Sequence, residues 1–184
     1  MRCNTMRVTR REVSGIAASA VALAGASAAN AQLGTGGEIS HSAAAIHQEV
    51  TFAASVSRLY RALTVTEEFD RVTRMSAAMN SDMKKALGSV PTAIDAREGG
   101  AFSLFGGYVT GCFLELVPDS RIVQAWRAGS WDPGEFSIAT FALSIQGSGT
   151  KLVFDHTGFP SDAAEHLAQG WHINYWEPLA KVLI

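Results

Sequence analysis

The sequence predicts an α+β domain in which a curved antiparallel sheet wraps around a long C-terminal helix, with two short helices after the first strand. Three observations predict it. Period-two alternation opens the patterned region at Ile46, strand-like runs separated by turn chemistry fill 92–158, and an apolar stripe at helical spacing closes the chain over 167–182. A sheet that wraps one helix leaves space between the two layers, so an apolar pocket belongs to the expectation.

Residues 1–31 read as a secretory signal peptide. Arg2, Arg7, Arg10 and Arg11 precede a weakly apolar run from Val13 to Ala28, and Ala29-Asn30-Ala31 supplies the small-x-small pattern, which places cleavage after Ala31. Thr9-Arg10-Arg11 before this Ala- and Gly-rich run resembles the bacterial twin-arginine signal; the usual bulky residue and later Lys are missing, and the general secretory route stays open. The run is shorter than the ~20 apolar residues of a membrane span. The expected destination is therefore the bacterial periplasm, with no stable membrane insertion after cleavage. Residues 32–44, with Gly34, Gly36 and Gly37, read as a flexible leader, and 45–184 as the folded domain.

In the domain, Ile46, Gln48, Val50 and Phe52 alternate with His47, Glu49 and Thr51, the pattern of a half-buried strand. Ser55 offers an N-cap to a helix carrying Val56, Leu59, Tyr60 and Leu63, and Thr66 is placed to cap a second with Glu67 and Glu68 in its first turn. The stretch 75–89 has no clear period and is expected to border the pocket. Strands follow over Thr92–Arg97, Ala101–Leu104, Tyr108–Val117, Arg121–Ala128, Glu135–Gln146 and Lys151–Gly158, divided by Gly-, Pro- and Asp-containing turns. Ser161 or Asp162 caps the last helix, whose stripe is Leu167, Trp171, Tyr175, Leu179 and Val182, and Pro178 should bend or break it.

Composition narrows the function. The chain has 184 residues, 47% hydrophobic and 17% charged, enough apolar material for one core, and its formal charge of −2 becomes more negative once a leader with four arginines is removed. Neither a positive field nor a dense Lys/Arg cluster is left to offset phosphate charge, which excludes nucleic acid as a partner. Ser-centred nucleophile motifs, phosphate loops and dinucleotide fingerprints are absent; Gly99-Gly100 and Gly106-Gly107 read as turns. His166 and His172 are six apart and fall on different helix faces, so no metal site is predicted. No catalytic acid–base pair and no cofactor motif is visible.

The candidate ligand contacts are aromatic. His156 shares an inward strand face with Leu152 and Phe154, which points its imidazole to the interior or the pocket rim, where it either donates to a ligand oxygen or is satisfied by a neighbour as a structural residue. Trp126 shares a face with Ile122 and Gln124, while Trp171 and Tyr175 lie four apart on the last helix, so these rings can converge on a planar ligand or serve as core. Phe141 and Phe159 complete the pocket set. Trp131, beside Asp132-Pro133-Gly134, is expected to pack over the mouth.

Several strings along the mature chain resemble one superfamily. Val50-Thr51-Phe52-Ala53-Ala54-Ser55 leading into Leu59-Tyr60, Leu114-Glu115-Leu116-Val117-Pro118 with Arg121-Ile122-Val123 and Trp126, and Gly158-Phe159-Pro160 followed by Gly170-Trp171 and Tyr175-Trp176-Glu177-Pro178-Leu179 are similar to the SRPBCC, START-like helix-grip proteins. The branch they resemble is that of the activator of heat-shock protein 90 ATPase homologues. The resemblance implies a helix-grip fold and a tunnel that in relatives takes lipids, hormones or polyketide-like molecules. Where relatives often carry a Trp pair after the second short helix, this chain has Asp70-Arg71-Val72-Thr73, which implies a differently shaped entrance. The functional expectation is a non-catalytic binder or carrier of a small apolar molecule. Its alternatives are a polyketide-cyclase-like enzyme using a pocket His, or a domain that assists another protein.

Overall fold

The computed structural model describes residues 45–82, 84–160 and 163–184. The expected signal peptide and leader, and the capping residues Ser161 and Asp162, lie outside them. The element order is β1 (Ala45–Phe52), α1 (Val56–Thr64), α2 (Thr66–Met75), α3 (Lys84–Leu87), β2 (Ala93–Ile94), β3 (Ala101–Leu104), β4 (Val109–Val117), β5 (Arg121–Ala128), β6 (Ser137–Gln146), β7 (Gly149–Thr157), α4 (Ala164–Trp171) and α5 (Glu177–Val182).

The strands form one seven-stranded antiparallel sheet in the order β1-β7-β6-β5-β4-β3-β2. Each neighbour but one is also next in sequence, because short turns suffice between antiparallel strands. The exception is β1, which joins β7 at the far edge and carries α1 and α2 across to the C-terminal helix. A bulge between Phe113 and Glu115 shifts the β4–β5 register and sharpens the local twist. The inward positions Phe113, Ile122, Trp126, Phe141, Leu152 and Phe154 are buried and pack on Leu167, Trp171 and Leu179 of the last helical segments. Among the described residues no helix is long and apolar enough to cross a membrane.

Local chemistry explains the boundaries. Ser55 accepts a hydrogen bond from the Arg58 amide at 3.3 Å and caps α1. Thr66 differs from expectation: Val65 holds the cap position of α2, and the Thr66 hydroxyl accepts from Ile94 N at 3.0 Å instead, tying α2 to β2. The expected strand Thr92–Arg97 shortens to Ala93–Ile94. Its continuation folds into a tight turn in which the Arg97 amide reaches the Asp95 carbonyl at 2.8 Å and the Gly100 amide reaches the Arg97 carbonyl at 2.8 Å. Any side chain at Gly100 would place its Cβ 2.0 Å from the Asp95 oxygen, so only glycine fits there.

Pro178 has the larger effect. Between α4 and α5 the chain makes a π-helical turn over His172–Trp176, where the Glu177 amide bonds the His172 carbonyl five residues back. Pro178 has no N–H for the bond to residue 174 and its ring crowds that carbonyl, so the extra residue is taken up as a wide turn immediately before it. The insertion rotates the faces. Tyr175 and Trp176 are both buried, and beyond the turn Leu183 takes the buried place expected of Val182, which is only half-buried.

Candidate functional site

A cavity of about 420 Å³ opens between the last helix and the β3–β5 end of the sheet. The helix side contributes Leu167, Gly170 and Trp171 from α4 and Ile173, Asn174 and Tyr175 from the π turn. The sheet side contributes Val109, Trp126 and Ala128, with Phe105 and Tyr108 from the turn before β4. Ala77, Ala78, Ser81 and Leu87 close one flank, and Ser130 and Trp131 another. The stretch 75–89, the least patterned in sequence, is therefore a wall. It is fastened to the π turn by the Ala78 amide, which donates to Asn174 Oδ1 at 2.8 Å, and by the Ala77 amide on the Ile173 carbonyl at 3.4 Å.

The sheet-side aromatics are set by backbone geometry. Phe105 sits at φ +50 and Gly106 at φ +70, a left-handed pair that turns β3 into β4. A Cβ at Gly106 would lie 2.5 Å from the Gly88 carbonyl oxygen, so two glycine backbones meet there and hold Phe105 over the cavity. Trp131 rests on Trp126 edge to face at 5.3 Å, and its carbonyl accepts from the Arg127 guanidinium, which pins the 129–136 loop. At the outer rim Tyr108 and Ser130 hydroxyls are 3.1 Å apart.

Of the residues singled out in sequence, Trp126, Trp171 and Tyr175 line the cavity together, and Trp131 joins them. His156, Phe141, Phe154 and Phe159 do not line it. These four stand behind the wall: Phe154 packs on Trp171 at 4.4 Å, Phe141 on Trp171 at 5.8 Å and Phe159 on the His156 ring at 5.0 Å. Trp171 packs against Phe141, Phe154 and His156 on β6 and β7 and itself lines the cavity in their place.

His156 takes the structural of its two expected roles, because every polar atom of its ring is already used. The Trp171 indole donates to Nδ1 at 3.0 Å, and Nε2 lies 2.6 Å from Ser137 Oγ, which itself donates to the Trp126 carbonyl at 3.0 Å. An indole cannot accept, so Nδ1 is the acceptor and the proton sits on Nε2. The ring is fully buried, and burial lowers its pKa from the usual 6.5 to about 4. It is a neutral strut inside the core, and a ligand-facing or proton-transferring role would require breaking both bonds. Asp155 turns outward and pairs with His47 at 2.7 Å, so it does not orient His156.

Tyr175 is the buried polar group at the cavity itself. Its ring is packed by Phe69, Phe105 and Trp171 at 5.6, 5.2 and 4.1 Å, its hydroxyl receives the Trp126 indole N–H at 3.5 Å, and burial raises its pKa. Phe105, Tyr108 and Gly170 were not singled out as cavity residues from sequence. The first two flank a Gly-Gly turn that reads as a mere separator. Among the described residues, no group of three or more His, Cys, Asp or Glu is placed to hold a metal ion.

The sheet, the gripping helix and the cavity between them define a helix-grip domain. Residues 53–183 match the family described as Activator of Hsp90 ATPase homolog 1-like protein, and the chain belongs to that family. The mouse protein named activator of 90 kDa heat shock protein ATPase homolog 1 is 32% identical over 127 residues, covering 69% of this chain and 33% of that protein. A Dictyostelium discoideum homologue is 35% identical over 97 residues, 52% of this chain and 25% of its own length. The chain thus spans about a third or less of the curated relatives it matches. Among solved structures, an HSP90 activator from Plasmodium falciparum superposes with a TM-score of 0.64 at 23% identity, over 76% of this chain and 95% of that one. The Aha1 dimer of Colwellia psychrerythraea gives 0.57 at 16% identity, over 76% and 96%. At these identities the structural likeness speaks for the fold alone.

Proposed function

We propose that the domain binds a small apolar molecule in the cavity between the β3–β5 end of the sheet and the last helix, without catalysing a reaction on it. The observation that carries this reading is a cavity of about 420 Å³ whose walls are mostly aromatic and aliphatic, within the size range of small-molecule sites. His156, the histidine expected to serve a cyclase-like mechanism, is buried and bonded at both nitrogens. The histidine that does line the cavity, His166, has no carboxylate beside it among the described lining residues to complete an acid–base pair, which supports binding over catalysis. The leader over residues 1–31 supports placing this activity in the periplasm. Native mass spectrometry of protein purified from the periplasm of its host tests both parts. A reproducible apolar adduct lost on denaturation, on a chain beginning at Gln32, is the expected result; a bare chain with an intact leader would contradict it.

A second reading follows from family membership. The relatives are named as activators of a heat-shock protein ATPase, and this domain would then assist a partner protein. Stimulation of a 90 kDa heat-shock protein ATPase by the added domain, unaffected by blocking the cavity, would favour it over the first.

A further inference from the structure

We infer that the molecule held in this cavity carries a carbonyl-type oxygen, which receives hydrogen bonds from both the Tyr175 hydroxyl and the Trp126 indole N–H. This rests on the reading of the cavity as a ligand site and specifies its chemistry. Both side chains line the cavity, and they are 5% and 4% exposed. The Trp126 N–H lies 3.5 Å from the Tyr175 oxygen, beyond the usual ~2.9–3.0 Å for such a bond. An indole offers no acceptor in return. Among the described residues the Tyr175 O–H hydrogen therefore meets no acceptor, and a buried hydroxyl in that state is destabilising until one arrives.

The neighbouring aromatic donors are already engaged. The Trp171 indole is bonded to His156 Nδ1, and the Trp176 indole reaches Gln48 Oε1 at 2.6 Å. The unmatched Tyr175 O–H hydrogen and the long Trp126 N–H bond are both at the cavity wall, 3.5 Å apart, so one acceptor placed there can serve both. An oxygen with two lone pairs satisfies both at once; a hydrocarbon offers none, and a hydroxyl, though it can accept, brings a further O–H that needs an acceptor of its own, whereas a carbonyl does not. Burial raises the phenol's pKa, so Tyr175 keeps its proton and stays a donor at neutral pH. No Asp, Glu, Lys or Arg is among the described residues lining the cavity, and its one imidazole, His166, is exposed, which favours a neutral molecule over an ion beside the buried Tyr175 and Trp126. The rings of Phe105, Trp126 and Trp131 favour a planar one. The chemical class is a planar, largely apolar ketone, quinone or lactone.

Fluorene and 9-fluorenone, which share one tricyclic frame and differ by a carbonyl, separate this assignment from the reading beneath it. Affinities are measured by tryptophan quenching for the full chain and for Tyr175→Phe, with thermal unfolding to verify that the variant folds. The expected result is a preference of about three- to tenfold for fluorenone in the wild type, reduced to near unity in Tyr175→Phe. Equal binding of the two probes by the wild type, or an undiminished preference in the variant, overturns the carbonyl assignment while leaving the cavity reading intact; binding of neither probe overturns both. Should the variant not fold, the infrared carbonyl band of wild-type-bound fluorenone decides. A shift to lower frequency than in hydrocarbon solvent supports the assignment, and an unshifted band overturns it.

Discussion

His156 shows how far one residue could be read from sequence. Its direction was legible, because positions 152, 154 and 156 of one strand must share a face, and all three are buried. Its use was not, because its partners Ser137 and Trp171 come from another strand and from the last helix, and only the β6–β7 register and the helix packing bring them together. The same closure predicts the effect of removing it. His156→Ala leaves the Ser137 hydroxyl and the Trp171 indole unpaired beside a new void, which should lower unfolding free energy by about 2–4 kcal/mol, read from the urea midpoint. A domain of unchanged stability would show that the strut is dispensable. A pH dependence follows with a definite sign. The unfolded imidazole takes its proton near pH 6.5 and the folded one only near about 4, so the unfolded state binds more protons in between. The contribution is full above pH 6.5, declines by up to about 3 kcal/mol as the pH falls to 4, and is flat below. Comparing wild type with His156→Phe across that range isolates it from the carboxylates, and parallel profiles would contradict the buried neutral ring.

At the scale of the element, the C-terminal helix was predicted with one interruption, and the interruption does more than bend it. The residue-specific signal was Pro178, which says where a helix must give way but not how. A break would have ended the apolar stripe; the π turn instead shifts it by one residue, so that Tyr175 and Trp176 both face inward and Leu183 follows. Helical periodicity cannot register such an insertion, because it assumes a constant 3.6 residues per turn. The second short helix shows the complementary failure, since a Thr at a helix start is an N-cap by local rule and here is claimed by a strand 28 residues away. Gly170 is the position where the element meets the cavity. It lies inside α4, and a Cβ there would meet nothing within 4 Å. Gly170→Ala should therefore raise stability by about 0.5–1 kcal/mol through the restricted unfolded chain and better helix propensity, seen as a higher denaturation midpoint. Gly170→Phe should project its ring into the same open space and abolish probe binding while the far-UV spectrum stays native. Retained affinity in the phenylalanine variant would place the bound molecule elsewhere.

For the whole molecule, the layer arrangement was the most legible feature, because turn chemistry between successive strands fixes an antiparallel meander and leaves the closing helix one face to cover. The cavity's outline was less so. It depends on the 75–89 stretch, whose wall role comes from anchoring to Asn174 and Ile173 and not from any periodic pattern, and on the Gly88–Gly106 approach that sets Phe105. Such contacts join parts of the chain that share no local signal. The two functional readings also differ at this scale. A ligand that enters the cavity binds the folded state alone, so it should stabilise the domain by RT ln(1 + [L]/Kd), about 2.7 kcal/mol at a hundredfold excess over Kd. For a domain of this size that amounts to a rise in Tm of roughly 5–11 °C, growing with the logarithm of ligand concentration. A partner that docks on the outer surface would instead give a shift that depends on the partner's concentration and survives Gly170→Phe, which plugs the cavity without touching the outside. Fluorenone titrated against thermal unfolding of the wild type and of Gly170→Phe, with and without a 90 kDa heat-shock protein, therefore distinguishes them. The cavity reading requires the fluorenone shift to vanish in the variant, and a domain stabilised only by the protein would belong to the second reading.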